Sequence, residues 1–191
     1  MNYLEVYKYC FSLENYANSE HIQYKYVINN IKNLNLENNN IIEIGSGKGQ
    51  NLLKILNEKD NLKNLNLTSV DLDNFHNIPV DNFISCNLSV ESERNKLLEN
   101  KYDILVCTDV YEHLDKSFID SVIEICSKIS KYSILAIANH SDIWNNVELH
   151  TIQENDVWWE NILNKYFSII EKETHYNGRL YMYVVKSKIQ V

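Results

Sequence analysis

Only four glycines occur in the 191 residues, and three of them, Gly45, Gly47 and Gly49, fall at alternating positions within five residues. A chain so sparing with glycine concentrates it where the backbone must turn sharply or where a ligand must approach with no Cβ in the way. The apolar run Ile41-Ile42-Glu43-Ile44 precedes the cluster, and Leu52, Leu53, Ile55 and Leu56 come after it with the spacing of one helix face. The segment reads as strand, glycine loop and helix start, and the free amides of such a helix suit a carboxylate or phosphate. Twenty-two residues beyond Gly49, Asp71 ends a second apolar run, at the place where an acid accepts hydrogen bonds from ribose hydroxyls. Loop and acid together point to an adenosine-containing ligand. The bland alternatives are a tight turn for the loop and a helix cap for Asp71.

The remaining chain alternates in the same way. Strands are expected at 41–44, 67–72, 83–88, 102–107 and 133–137, and helices at 49–59, 89–99, 118–129 and 157–166. Two β-rich runs, 167–173 and 180–186, flank Asn177-Gly178, a strong hairpin signal. Residues 3–34 read as helical with a break at 15–20, an extension packed on the main domain. Alternation implies an α/β protein of three layers, a mostly parallel seven-stranded sheet ending in an antiparallel hairpin.

Composition removes several function classes. Hydrophobic residues at 45% and charged residues at 23% are ordinary for a folded protein. With 18 basic against 26 acidic residues, net −8, the chain is a poor match for a nucleic-acid phosphate backbone. No apolar run is long enough to span a membrane, and the first sixteen residues lack the apolar core of a leader, so a cytoplasmic location is expected. Cys10, Cys86, Cys107 and Cys126 form no CxxC pair, and Cys107 and Cys126 read as core thiols of a reducing compartment.

The glycine spacing is G-x-G-x-G, with Gln50 where a dinucleotide fingerprint has its third glycine, and Glu43 stands two residues before the first. Here the sequence resembles the class I S-adenosylmethionine-dependent methyltransferases, whose first motif reads acid-x-G-x-G-x-G. Ser69-Val70-Asp71-Leu72-Asp73 is similar to the second motif, Phe83-Ile84-Ser85-Cys86-Asn87-Leu88 to the third, and the run from Tyr102 to Leu114, containing Asp109-Val110-Tyr111-Glu112-His113, closely to the fourth. The resemblance covers about residues 40–186. It implies a Rossmann-like methyltransferase domain at 39–191; the helical extension at 1–38 is read from its own spacing and aromatic residues as a substrate cap. The resemblance implies S-adenosylmethionine as cofactor, with Glu43 near the methionine end and Gly45, Ser46, Gly47 and Gly49 beneath it. Asp71 would hold the ribose, Leu72 would lie against adenine, and Asp109 and Val110 would border the methyl group. Asn87 stands where the family usually has Asp; its amide oxygen retains the capacity to accept from the adenine amino group.

Methylation of a hydroxyl needs a base, and histidine is the usual residue. His113, His140 and His150 lie beyond the ends of the fourth and fifth strands, the crevice side of an open α/β sheet. A structural histidine is the alternative at each. Trp158 and Trp159, about 100° apart on a helix, are either both packed or divided between core and cleft. With Trp144 and the tyrosines of the first 26 residues, they are candidates for an aromatic lid. Pro79, the sole proline, is followed by Val80, so neither an Asn-Pro-Pro-Tyr motif nor a Pro-Cys nucleophile pair exists. The expected acceptor is a hydroxyl on a small metabolite or glycan precursor, with no nucleic acid and no membrane. No metal ligand set is assigned; Asp109 with Asp142 imitates one only weakly. The competing readings are a nicotinamide (NAD)-dependent oxidoreductase, disfavoured by the loop and by the lack of a Tyr-x-x-x-Lys pair, and a non-catalytic cofactor-binding partner subunit.

Overall fold

The computed structural model describes residues 3–13, 22–144 and 146–189. Nine strands and six α-helices are found there: α1 (Tyr3–Ser12), α2 (Ile22–Leu34), β1 (Asn39–Ile44), α3 (Gln50–Asn57), β2 (Leu65–Asp71), β3 (Asn82–Ser85), α4 (Glu91–Arg94), β4 (Tyr102–Thr108), α5 (Ile119–Ile129), β5 (Ser130–Ala138), β6 (Ile143–Trp144), β7 (Val147–Glu148), α6 (Asp156–Tyr166), β8 (Phe167–His175) and β9 (Leu180–Ser187). Seven strands make one sheet in the order β3-β2-β1-β4-β5-β9-β8, parallel except at β9, which runs antiparallel to both neighbours. The chain works outward from β1 to β3, then returns to lay β4 on the other side of β1. That reversal creates the crevice in which open α/β sheets bind ligands.

Strand side chains alternate between two cores. Ile42, Ile44, Leu105, Cys107, Leu135 and Ile137 meet α5 and α6 on one face, where Trp159, Val122 and Ile123 are buried. Ile41, Ile104, Val106, Ile134 and Ala136 meet α2 and α3 on the other, through Val27, Ile31 and Ile55. Strands covered on both faces read as continuous apolar runs, which is why β1, β4 and β5 are legible in sequence. Helix α2 forms part of a packed layer, since Tyr26, Val27 and Ile31 lie against Met182 and Val184 of β9.

Some expectations shift. The helix expected at 89–99 is one short helix continued by a 3₁₀ turn at Asn95–Glu99; only Arg94 and Leu97 of it are buried, so little apolar surface anchors a longer one. The third strand ends at Ser85 rather than 88. The small hairpin β6–β7 falls between the strand expected at 133–137 and the helix expected at 157–166, where no element was expected. The expected break at 15–20 lies outside the described residues, as do Tyr16 and the side chain of Tyr3. All four cysteines are buried and free. No helix among the described residues is long and apolar enough to cross a membrane.

Candidate active site

A cleft of about 920 Å³ opens at the carboxyl ends of β1, β2 and β4. Its floor is the glycine loop. A Cβ on Gly45, whose φ is +73°, would lie 2.2 Å from Val110 Cγ2, so only glycine lets the loop pass under the end of β4. Gly49 has another task. Its φ is +74°, a Cβ there would meet Ile78 at 2.7 Å, and the residue does not line the cleft. It lets the loop pack on residues 76–78 at the start of α3. Of the residues expected to hold the cofactor, the other nine (Glu43, Gly45, Ser46, Gly47, Asp71, Leu72, Asn87, Asp109 and Val110) all line the cleft.

The floor is acidic and buried. Asp71 Oδ2 accepts from the Gly47 amide (2.8 Å) and Oδ1 from the Leu72 amide (2.7 Å), which ties strand β2 to the loop. Burial nevertheless pushes this carboxyl up to about 6, the two amides opposing. Glu43 is 2% exposed. Its Oε1 accepts from Asn51 Nδ2 (2.8 Å), which also donates to Thr108 Oγ1 (3.0 Å). Glu43 Oε2 and Asn51 Oδ1 are buried without a partner among the described residues. Burial raises Glu43 to about 8, Asn51 opposing and Asp71 adding to the rise. Asn87 Oδ1 accepts from the Ser89 amide (3.0 Å), which turns the NH₂ end of the side chain away from that contact.

The opposite wall gathers the three histidines expected from the strand ends. His113 and His150 stack edge to face with centroids 4.6 Å apart, and His140 lies 4.9 Å from His150. Their convergence is made by a strap, residues 139–144 and 146–152. Glu148 Oε1 accepts from the amides of Asp142 (2.8 Å) and His150 (3.0 Å), and Oε2 accepts from Ser141 Oγ. The strap is then sewn to the turn after β4 by Ile152 N–H donating to the Glu112 carbonyl (2.9 Å) and Thr151 Oγ1 donating to the Leu114 carbonyl (2.5 Å). A carbonyl can only accept, so His150 Nδ1 carries the proton it shares with the His140 carbonyl (2.6 Å), and His140 Nδ1 does the same toward the Ser141 carbonyl (3.0 Å). In the neutral ring of each, Nε2 is then the acceptor. His113 is driven down to about 3 by burial and by His150, so it stays neutral at ordinary pH.

The N-terminal helices close the cleft from above. Phe11 packs on Phe75 (4.7 Å between centroids), and a Cβ on Gly47 would be 3.1 Å from the Phe11 ring. Lys48 Nζ donates to the Leu13 carbonyl (3.1 Å), and Gln23 Nε2 donates to Asp109 Oδ1 (2.8 Å), where Asp109 holds a φ of +54°. Tyr7, Tyr24 and Trp144 line the cleft, whereas Tyr26 is core. The two adjacent tryptophans both pack: Trp159 is fully buried, and Trp158 lies against the same core under Lys116. Phe11, Gln23, Asn51, Thr108 and Arg179 also line the cleft, and no sequence signal points to them. Asn51 and Thr108 lie within the first and fourth motif runs without being singled out there, whereas only packing brings Phe11, Gln23 and Arg179 to the strand ends.

An open sheet with this order, an antiparallel terminal hairpin and a glycine-floored cleft at the switch point defines the class: the chain has the class I S-adenosylmethionine-dependent methyltransferase fold. No family model matches the chain, and no curated protein matches it. Solved structures do. N-methyltransferase NodS from Bradyrhizobium japonicum WM9, in complex with S-adenosyl-L-homocysteine, superposes with a TM-score of 0.67 at 10% identity over 99% of this chain and 100% of that one. The 1,6-didemethyltoxoflavin-N1-methyltransferase of Burkholderia thailandensis, bound to 1,6-didemethyltoxoflavin and S-adenosylhomocysteine, gives 0.62 at 9% over 89% and 80% of the two chains. Magnesium protoporphyrin IX methyltransferase from Synechocystis PCC 6803, with bound S-adenosylmethionine, gives 0.58 at 16% over 86% and 76%.

Proposed function

We propose that this protein is an S-adenosylmethionine-dependent methyltransferase acting on a hydroxyl oxygen of a small metabolite or glycan precursor. One observation carries the cofactor: Glu43 Oε2 and Asn51 Oδ1, two buried acceptors on the cleft floor, have no donor among the described residues. Buried acceptors require donors, and the ammonium of a methionine end supplies them together with the positive charge that an ionised Glu43 needs. A nicotinamide dinucleotide would instead bring pyrophosphate over a loop backed by this buried carboxyl. When bound, the cofactor supplies a sulfonium methyl group and leaves as a neutral thioether.

The chain's own residues then have separate tasks. Glu43 and Asn51 hold the amino-acid end, Asp71 keeps free lone pairs for the ribose hydroxyls, and Asn87 offers its NH₂ to an adenine ring nitrogen. Val110 and Asp109 border the methyl group. His140, half-buried and with Nε2 free to accept, takes the proton that an acceptor hydroxyl gives up. Helices α1 and α2, within residues 1–38, act as the cap through Tyr7, Phe11 and Gln23. The histidine wall and the net charge of −8 favour a small hydroxyl acceptor over nucleic acid, and four buried free thiols suit a reducing, cytoplasmic setting.

Calorimetric titration with S-adenosylmethionine, S-adenosylhomocysteine and NAD, on the wild type and Asp71→Ala, tests the cofactor. The two sulfur nucleosides bind and Asp71→Ala weakens both; binding of NAD alone would overturn the reading. Transfer of labelled methyl groups to matched alcohol and amine panels tests the acceptor, and label on amines alone would refute O-methylation.

A further inference from the structure

We infer that the acceptor wall carries a divalent transition-metal site formed by Glu112, His113 and His150. One donor atom from each of the three lies within 4.8 Å of the other two. Metal bonds of about 2.0–2.2 Å set ligand atoms roughly 3–4 Å apart, so small side-chain rotations close the set around an ion.

The partners left open are those a cation would take. Glu112 is fully buried; Oε1 accepts from the Ala138 amide (2.9 Å), and Oε2 has no partner among the described residues. No lysine or arginine among the described residues is ion-paired with it, while Asp109 and Asp142 add negative charge nearby. His113 Nδ1 is likewise buried and unpartnered among the described residues. His150 donates Nδ1–H to the His140 carbonyl at 2.6 Å, which leaves the Nε2 lone pair for an ion. A ring nitrogen fixed on a carbonyl is the usual support behind a metal-binding histidine, because it sets both tautomer and ring angle. Asp142 Oδ2, 4.0 Å from His150 Nε2, stands beside the set as a further oxygen.

The donor chemistry selects the ion. Two imidazole nitrogens and one carboxylate suit zinc, manganese, iron or cobalt, whereas magnesium and calcium take oxygen sets. His113 and His150 line the cleft, so the ion's open positions face the space for the acceptor. This assignment rests on the methyltransferase reading for its purpose: an ion there binds the acceptor oxygen and lowers the pKa of its hydroxyl. The proton then passes to His140 Nε2.

The test is titration of metal-stripped full-length protein with cobalt(II) chloride, monitored by visible d–d absorption and calorimetry. Zinc chloride serves as competitor and magnesium chloride as comparator. One cobalt ion binds per chain, zinc displaces it and magnesium does not. Glu112→Gln and His150→Gln each weaken binding by at least about tenfold, and Asp71→Ala leaves it unchanged. Circular dichroism melting confirms that each variant is folded; Glu112→Gln retains the oxygen that accepts from Ala138, so it serves if His150→Gln does not fold. Absence of cobalt binding, or binding indifferent to both substitutions, overturns the site. S-adenosylhomocysteine titrated into the same samples separates the two readings. Nucleoside binding without cobalt sinks the metal site alone, and cobalt binding without the nucleoside sinks the cofactor reading alone.

Discussion

The two halves of the cleft are built by different means. The half of the cleft proposed for the cofactor draws mainly on residues 43–51 and 71–72, with Asn87, Asp109 and Val110 added from neighbouring strand ends, and is joined by contacts between adjacent parallel strands such as the Gly47 amide on Asp71. The acceptor half draws on the turn after β4, the strap between β5 and α6, and helices that precede the whole sheet, joined by bonds such as Gln23 to Asp109, 86 positions apart. Contiguous strand-loop-helix units preserve a binding chemistry through local backbone geometry. An assembled wall can change by exchanging a strap or a cap while the sheet stays as it is. The 1,6-didemethyltoxoflavin-N1-methyltransferase and magnesium protoporphyrin IX methyltransferase share the fold at 9% and 16% identity and are named for different compounds.

The comparison breaks most visibly if the halves fail to separate in kinetics. His140→Ala is expected to lower kcat by about 10²–10⁴-fold while S-adenosylhomocysteine affinity, measured by calorimetry, stays within about twofold. A parallel loss of affinity would mean that the wall supports the cofactor as well. Asp71→Ala is expected to do the converse, weakening the nucleoside by about 100-fold, in line with losing charged hydrogen bonds of about 1.5–3 kcal/mol each, with far less change in kcat at saturation.

Gly45→Ala probes a contact where the halves touch, the close approach of the glycine loop to Val110. It is expected to cost about 1–3 kcal/mol of unfolding free energy in urea, from a positive-φ position carrying a Cβ. Val110→Ala in that background removes the atom that clashes and returns part of the loss. Full additivity of the two substitutions would show that the close approach does not matter.

A further effect is one of pH. Glu43 titrates near 8 when folded, against an ordinary 4.5, so between those values the native state holds a proton that the unfolded chain has released. Unfolding free energy therefore falls as pH rises through this window, and Glu43→Gln flattens the fall. A cationic cofactor favours the ionised carboxyl. Its binding below pH 8 is expected to release a proton and to tighten with rising pH by at most about tenfold per unit, measured in buffers of differing ionisation enthalpy.

What the amino-acid order determined alone is the part governed by short-range geometry. Three glycines behind an apolar strand, an acid at the end of the next strand and an Asn-Gly turn each constrain a few neighbouring backbone angles, so the fold class and the floor of the cleft were legible. Histidines at strand ends were legible too, because strand direction dictates which end forms a crevice. Tertiary structure decided the rest. Gly49 reads like its two fellows, yet it serves packing against Ile78 rather than the cleft. Trp158 and Trp159 read either as both packed or as divided between core and cleft, and the core beneath α6 decided for packing. Glu112 stands beside His113 in the fourth-motif run, but nothing in that run marks it for burial. It becomes a buried, half-satisfied carboxylate beside two imidazoles only because Glu148 folds the strap and residues 151–152 bond to the turn that carries it. Such partners lie nearly 40 positions apart, and their meeting is set by the packing of β4, β5 and α6, which no local pattern encodes.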